Sequence, residues 1–294
     1  MAITLGLDTF GRTVANGSWG SANTGGSWTL IYGPSGFLVD PGAAKMALQP
    51  TYAREANLSA ISKTNVVIRA SFASSSAYSG GAQNINIIGR KISTFYYIAR
   101  VRIESGLLRL YIMRMNSAGG EAALVSSTTI SHTYVPGEVI WCELSISGVS
   151  PTTIAAKMWL ATDTEPGTYQ QSTTDTTAGY QVAGTVGLGA SIGASASSTT
   201  ISFSYFSAVD PTMEILDAPV VTLNSINPTT IGGNNGSVTA TWPVVPGAYH
   251  YETCLVSGTQ TTGFVADDGD ATSPKIYTGL TAGSYTVAVR AKAS

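Results

Sequence analysis

The stretch that decides the fold lies near the start and reads Asp8-Thr9-Phe10-Gly11-Arg12, continuing through Trp19-Gly20 to Gly26-Ser27-Trp28. Its phenylalanine and two tryptophans carry more apolar surface than a disordered arm would, because aromatic side chains dominate the energetics of protein cores. The glycines, serines and asparagines between them are poor helix formers. The stretch therefore predicts a first strand and a loop that covers a sheet built from later segments.

The composition narrows the class of protein. The chain has 294 residues with 44% hydrophobic content, so we expect one or two domains with a sizeable core. Only 11% of the residues are charged, well below the roughly 25% of an ordinary soluble domain. Polarity comes from Ser, Thr and Asn instead, as in extracellular, virion or cell-wall β proteins. The net charge of −2 offers no basic surface, so we expect no nucleic-acid partner.

The lack of a recognisable targeting signal and the small number of cysteines predict synthesis in a reducing cytoplasm. Residues 1–7 lack the basic start and long apolar centre of a signal peptide. No stretch approaches the roughly 18 apolar residues of a membrane span, so we expect no membrane insertion. Cys142 and Cys254 are too few for a disulfide framework, and we expect buried thiols in different domains. Any exterior role would then be reached by assembly or lysis.

Hydrophobic alternation predicts about a dozen strands before residue 211 and no long helix. The clearest pair is 95–103 and 107–115, which the short turn Ser105-Gly106 joins into an antiparallel hairpin. Gly89 is expected to end the strand before it. Residues 1–211 are therefore predicted to form a large β-sandwich. Further strands are predicted at 66–72, 84–90, 138–147, 153–161, 182–192 and 199–209, with short strands in 36–60.

A second module is predicted after Pro211. Residues 212–217 are interpreted as a linker, and 218–294 hold several short strands with turns at 232–236 and 267–270. That size and spacing are typical of a small immunoglobulin-like sandwich.

The second module resembles a fibronectin type III domain. The resemblance is carried by Val238-Thr239-Ala240-Thr241-Trp242, with the tryptophan of strand B, and by the stretch 279–291. In that stretch, Leu280 and Tyr285 match the leucine and the tyrosine corner of the family. No Arg-Gly-Asp sequence occurs in the chain, so integrin-type adhesion is not indicated.

Residues 5–210 resemble the concanavalin A-like, or laminin-G-like, jelly roll. The Gly-rich strand 184–190 and the aromatic strand 202–210 match the end of that fold, and 138–144 matches a strand with a packed tryptophan. The resemblance implies that Trp141 lies in the core, as Trp242 does in the second module. The opening segment, closed against the last strand around 203–210, would be the first strand and covering loop.

The opening segment also resembles the first segment of minor tail proteins from siphophages of actinobacteria. In that family, such a jelly roll is often followed by fibronectin-like modules. The resemblance implies a virion location in the tail, other tail proteins as partners, and a homo-oligomer with three- or six-fold symmetry. Weak adhesion to host-surface glycans would fit such a protein.

No catalytic site is predicted. The histidines His132 and His250 lack the neighbours that a metal or nucleophile site needs, and are interpreted as solvated or packed side chains. The jelly-roll fold also hosts glycoside hydrolases, which need two carboxylates across a cleft. Glu138 and Glu143 are an odd number of positions apart and face opposite ways on a strand. Asp163 and Glu165 precede Pro166-Gly167 and are interpreted as a solvated turn.

Three groups of residues offer a metal or a sugar site as an alternative to a structural role. Asp8 and Asp210 could supply part of a calcium site, although capping and turn hydrogen bonds are the favoured interpretation. The run Asp267–Asp270 lacks the ligand spacing of a calcium loop. Trp19 and Trp28 could stack on sugars, although core packing is favoured. No metal, cofactor or catalytic residue is predicted.

The sequence thus favours a non-enzymatic structural protein of a phage tail, with weak adhesion to host-surface glycans as a second role. The alternatives are a bacterial lectin-like carbohydrate-binding module pair and, more remotely, a glycoside hydrolase accessory protein. Virion mass spectrometry separates the first two.

Overall fold

The computed structural model describes residues 3–116, 119–211, 222–226, 236–242, 250–257, 260–261, 265–266, 275–280 and 285–292. Every regular element in these ranges is a β-strand, which confirms the all-β prediction. Within the same ranges, no helix is long and apolar enough to cross a membrane. The chain divides into two compact units, one of Ile3–Thr212 and one of Met213–Ser294 with Met1–Ala2.

In its described residues, the first unit holds sixteen strands. In chain order they are β1 (Ile3–Asp8), β2 (Trp28–Ile31), β3 (Phe37–Asp40), β4 (Ala43–Leu48), β5 (Ala53–Lys63), β6 (Val66–Ser74), β7 (Gln83–Ile92), β8 (Phe95–Glu104), β9 (Leu107–Met115), β10 (Glu121–Ala123), β11 (Thr128–Ser131), β12 (Ile140–Ser147), β13 (Thr152–Leu160), β14 (Gln171–Asp175), β15 (Gly184–Ile192) and β16 (Thr199–Asp210).

These strands form two eight-stranded antiparallel sheets. Sheet A has the order β14-β13-β12-β6-β16-β4-β3, with β1 beside β16. Sheet B has the order β10-β9-β8-β7-β15-β5-β2, with β11 beside β9. Strands close in sequence often lie in different sheets, so the chain crosses repeatedly between the layers. The predicted large sandwich is confirmed.

The core lies between the sheets and follows the period-two rule for strands. On β12 the inward side chains Ile140, Cys142, Leu144 and Ile146 are fully buried. Gly89, predicted to end a strand, lies instead inside β7. A Cβ atom there would come within 2.4 Å of Ile146 Cδ1, so a glycine allows the two sheets to approach closely at this point.

The opening segment closes the sandwich, as predicted. β1 pairs antiparallel with β16, with Ile3 opposite Asp210 and Asp8 opposite Phe206. The loop after β1 then places the indole of Trp19 in the core, fully buried, with its ring centroid 5.6 Å from that of Phe37. The first and last strands of the unit are therefore neighbours in one sheet.

The second unit holds two smaller antiparallel sheets. β17 (Thr222–Ile226), β18 (Gly236–Thr241) and β22 (Lys275–Leu280) form one sheet, in that order. The other is built on β19 (His250–Ser257), which pairs with β20 (Gln260–Thr261), β21 (Val265–Ala266) and β23 (Tyr285–Lys292). Both sheets contribute to one small core, and its buried members are Val238, Ala240, Trp242, Leu255, Val287 and Val289.

Trp242 lies in this core, as predicted. The Tyr285 side chain and the turns at 232–235 and 267–270 lie outside the described residues, so the fibronectin type III assignment stays a prediction.

Candidate functional site

The outward face of sheet A carries two neighbouring rows of side chains. One row is charged: Arg69 of β6 lies opposite Glu143 of β12, which lies opposite Lys157 of β13. Two residues along the same strands, a second row holds Trp141 and Trp159, directly opposite each other. Period-two geometry places both rows on one face. We call this surface the aromatic-charge face; its members are Arg69, Trp141, Glu143, Lys157, Trp159, Glu165, Tyr169 and Tyr205.

The aromatic row forms a continuous platform. The rings of Trp141 and Trp159 stack with an interplanar angle of 9° and a centroid distance of 6.0 Å. Tyr205 of β16 extends the row, with its ring 5.3 Å from that of Trp141. Trp159 is 7% exposed, whereas Trp141 and Tyr205 are half-buried and Tyr169 is exposed. The accessible rings are therefore those of Trp141, Tyr205 and Tyr169, with Trp159 packed behind them.

The charged row is an ion-pair network. The guanidinium of Arg69 donates to Glu143 through Nε at 2.8 Å and to Glu165 through Nη2 at 2.7 Å. The ammonium of Lys157 donates to Glu165 Oε1 at 2.6 Å and lies 3.7 Å from Glu143 Oε1. Glu143 is almost fully buried. Two cations thus neutralise two carboxylates.

Cation–π contacts join the two rows. Arg69 Cζ lies 5.4 Å from the ring centroid of Trp159, and Lys157 Nζ lies 5.7 Å from the same ring. Lys157 Nζ also lies 5.5 Å from the ring of Tyr169. A cation at this distance is attracted to the negative face of an aromatic ring. These contacts hold the side chains of the platform in place.

The pKa shifts follow from this packing. The hydrogen bond from Lys157 lowers the pKa of Glu165, so this carboxylate stays ionised. Burial, with the nearby charge of Glu143, raises the pKa of Tyr169 to about 12, which keeps the phenol protonated. Burial opposes the charge of Arg69, but the hydrogen bonds and charges of Glu143 and Glu165 outweigh it and raise its pKa.

Glu143 and Glu165 are not arranged for glycoside hydrolysis. Both accept from Arg69 Nη2, at 2.5 Å and 2.7 Å, so the two carboxylates approach within the roughly 5 Å used by retaining enzymes. The guanidinium, however, occupies the space between them. A general acid also needs a raised pKa, and the pKa of Glu165 is lowered. These two residues form an ion-pair network.

One expectation about this face is wrong. Trp141, expected in the core, points outward because its neighbour Cys142 points inward and adjacent strand residues face opposite ways. Glu165 is exposed outside the strands, in line with the expectation of a solvated turn, and it also reaches back over sheet A to Arg69 and Lys157. Asp163 remains in a turn, where its N–H donates to the carbonyl of Leu160.

The tryptophans of the opening segment have structural roles, as favoured from the sequence. Trp19 is fully buried and Trp28 is 5% exposed. Trp19 Nε1 donates to the Lys45 carbonyl at 3.1 Å, and Trp28 Nε1 donates to Asp8 Oδ2 at 2.7 Å. Neither ring is accessible for stacking on a sugar.

Asp8 is held by hydrogen-bond donors. Its carboxylate accepts two bonds from the Arg12 guanidinium, at 2.7 Å and 2.8 Å, and others from Phe10 N–H and Trp28 Nε1. Asp210 lies at the opposite end of the β1–β16 pairing, with Lys63 3.6 Å away. The two aspartates therefore do not combine in one calcium site, and the capping interpretation of Asp8 is confirmed.

The remaining candidates are also structural where the structure describes them. His132 Nε2 lies 2.8 Å from Glu138 Oε2, and the same oxygen accepts the Val135 N–H at 2.8 Å. Cys142 is a fully buried free thiol, and burial raises its pKa. The side chains of His250 and Cys254 lie outside the described residues. Within the described part of the chain, no three His, Cys, Asp or Glu side chains cluster as metal ligands would.

The strand order is that of a large antiparallel β-sandwich, as predicted, and its assignment to the concanavalin A-like jelly rolls stays a prediction. No protein-family model and no curated protein matches the chain. Among solved structures, the chain is similar to the carbohydrate-binding module CBM66 from Bacillus subtilis, with 11% identity and a TM-score of 0.40 over 60% of this chain and 91% of that chain.

The chain is also similar to the CBM2 module of the evolved Dit of Lactobacillus casei BL23 phage J-1, with 10% identity and a TM-score of 0.45 over 72% of this chain and 97% of that one. A third similar structure is a Bacteroides ovatus GH16 protein of the mixed linkage glucan PUL, with 9% identity and a TM-score of 0.46 over 69% and 98% of the two chains. Likenesses this distant carry no argument about function.

Proposed function

We propose that the jelly roll is a non-catalytic glycan-binding module and that the aromatic-charge face is its binding surface. The observation that carries the proposal is the stacked pair Trp141 and Trp159, extended by Tyr205, on the outward face of a sheet. Sugar rings present apolar C–H faces between their hydroxyl groups, and a row of aromatic rings matches those faces. The adjacent charges of Arg69 and Glu143 offer donors and acceptors for hydroxyls.

The pairing of the charges on this face supports ligand binding and not catalysis. Each carboxylate on the face is neutralised by a cation, and the lowered pKa of Glu165 keeps it deprotonated. The platform and the network are also rigid, because cation–π contacts from Arg69 and Lys157 fix the ring of Trp159. A prearranged surface of this kind loses little conformational entropy on binding.

The test is a printed glycan array, followed by calorimetric titration with the best-bound soluble oligosaccharide. We expect Trp141→Ala to weaken binding at least tenfold, because truncating a central aromatic contact typically costs about 2 kcal/mol or more and tenfold corresponds to about 1.4 kcal/mol. Tyr111→Ala is the matched control, since Tyr111 is a half-buried aromatic on the outward face of sheet B. It is expected to leave the affinity unchanged.

Two outcomes contradict this proposal. One is that Trp141→Ala and Tyr111→Ala bind alike. The other is that the wild-type chain releases reducing sugar from the bound glycan and the Glu165→Gln variant does not, which would indicate hydrolysis.

For its biological setting, we propose that the protein is a minor tail protein of a phage virion that adheres to host-surface glycans. The support is the opening segment that ends in Trp28 and the order of the two modules, which resemble actinobacterial siphophage tail proteins. Its partners would be other tail proteins, and the chain would form a trimer or hexamer. Mass spectrometry of purified virions tests this setting. Absence of the chain from virions, with glycan binding retained, would favour a bacterial lectin-like module instead.

A further inference from the structure

Arg54, at the end of the sandwich, is a buried cation without a carboxylate partner among the described residues. It lies on β5, is 8% exposed, and faces inward like Ala56 and Leu58. Its Nε donates to the Ala47 carbonyl at 2.6 Å, and its Cζ lies 5.4 Å from the ring centroid of Phe37. Most of this side chain is therefore buried, while its two terminal nitrogens remain accessible.

Arg90, another buried arginine of the sandwich, shows how such a group is satisfied when its role is structural. Arg90 is fully buried, and its guanidinium donates to the carbonyls of Thr64, Gly148 and Tyr180 and to the hydroxyl of Thr152. Each of its nitrogens has an acceptor. In Arg54 only Nε has an acceptor among the described residues, and the two terminal nitrogens are open to solvent.

The Arg54 guanidinium lines a cleft with a volume of about 410 Å³. Strand ends and loops of both sheets form its walls, and hydroxyl groups predominate, including those of Ser35, Ser75, Ser198 and Thr200. Gly36 makes room for the guanidinium, because a Cβ atom there would lie 2.7 Å from Arg54 Nη2. The volume lies within the range of small-molecule sites, roughly 300–1,000 Å³.

We propose that this cleft binds the carboxylate of an acidic sugar. The planar guanidinium matches a carboxylate in a two-pronged pairing, and the surrounding hydroxyls match sugar hydroxyls. Arg54 is the one cation among the cleft-lining residues, so the charge balances a single carboxylate, whereas a doubly charged phosphate would stay half-neutralised. This site stands independently of the aromatic-charge face, because it uses a different set of residues.

The test is calorimetric titration of the full chain with glucuronate, glucose and inorganic phosphate. We expect saturable glucuronate binding, with glucose and phosphate each at least tenfold weaker. Arg54→Gln is expected to lose at least tenfold in glucuronate affinity. The glucuronate affinity of Arg54→Lys is expected to lie between those of Arg54→Gln and the wild type, because lysine keeps the charge and loses the planar fork.

Because Arg54 also packs on Phe37, a second variant separates binding from folding. Ser198 is exposed at the rim of the cleft, so Ser198→Phe is expected to block the cleft, abolish glucuronate binding and leave the melting temperature unchanged. The controls are Arg109→Gln, a surface arginine paired with Glu104, and Trp141→Ala; both are expected to keep glucuronate affinity. If Trp141→Ala retains its affinity for glucuronate, the cleft is distinguished from the glycan-binding face.

The proposal is overturned if glucuronate and glucose bind equally or if Ser198→Phe retains full affinity. Equal binding of phosphate and glucuronate would overturn the assignment to a carboxylate.

Discussion

Two tryptophan pairs, each beside a carboxylate–arginine ion pair, occupy opposite environments in the same sandwich. The inner pair is Trp19 and Trp28, whose rings meet edge to face at 5.3 Å within the core. The outer pair is Trp141 and Trp159, stacked in parallel on the surface of sheet A. The residue types are the same, and their surroundings differ.

In the inner pair, hydrogen bonds within the protein satisfy the indole N–H groups and the neighbouring carboxylate. Each indole N–H donates to a protein acceptor, and each oxygen of Asp8 accepts two donors. In the outer pair, the ring of Trp141 is half-buried and accessible from solvent, whereas Trp159 packs beneath it. The charges beside this pair are paired but partly exposed. The difference teaches that a tryptophan pair with an ion pair stabilises the fold when buried and is available to a ligand when it lies on a sheet surface.

The sharpest test of this contrast compares two truncations. Trp19→Ala should lower the free energy of unfolding of the jelly roll by about 3–5 kcal/mol, the usual cost of emptying a buried aromatic site. Trp141→Ala should lower it by about 1 kcal/mol, because its site is partly exposed and leaves little cavity. Urea unfolding measures both. Equal losses would remove the distinction between the two pairs.

The carboxylates give a second, smaller contrast. Asp8→Ala removes a fully buried acceptor and leaves Arg12 and the Trp28 N–H without their partner, so we expect a loss of about 3 kcal/mol. Glu165→Gln changes a side chain that is 38% exposed and should cost less than about 1 kcal/mol. Urea midpoints for both variants check this order, and the reverse order would contradict it.

The smallest effect concerns pH. The folded state lowers the pKa of Glu165 below its ordinary value of 4.5, so its ion pairs contribute stability above that pH and lose it as the pH falls. Wild-type protein should therefore lose more stability than Glu165→Gln between about pH 5 and pH 3. Thermal melts across that range measure the difference. A larger loss of stability in Glu165→Gln than in the wild type on acidification would contradict the lowered pKa of Glu165.

The architecture could be predicted because its causes are local. Alternation along 107–115 and the turn Ser105-Gly106 specify a hairpin, which the structure has as β8 and β9. The aromatic residues around Trp19 need a core, and the structure provides one. Short stretches of sequence therefore specify which face of a strand is buried and where a turn lies.

The candidate sites could be predicted only in part. Alternation along β12 predicts that Trp141 points outward, because its neighbour Cys142 is one of the inward residues of that strand. The family resemblance instead predicts a buried Trp141, and that prediction is wrong. Glu165 and Arg69 are 96 positions apart, and no local pattern indicates that they meet. Arg54 is similar, since the cleft that it lines is completed by Ser75 and Ser198 from distant parts of the chain.

The pairing of β1 with β16 has a consequence for synthesis. Sheet A is incomplete until residues 199–210 exist, because β16 separates β6 from β4 and also holds β1. At ribosomal rates of about 5–20 residues per second, the opening segment waits on the order of 10–40 s for its partner strand. Throughout that interval the indoles of Trp19 and Trp28 have no finished core to enter. Translation therefore sets a lower limit on the time before these two indoles can be buried.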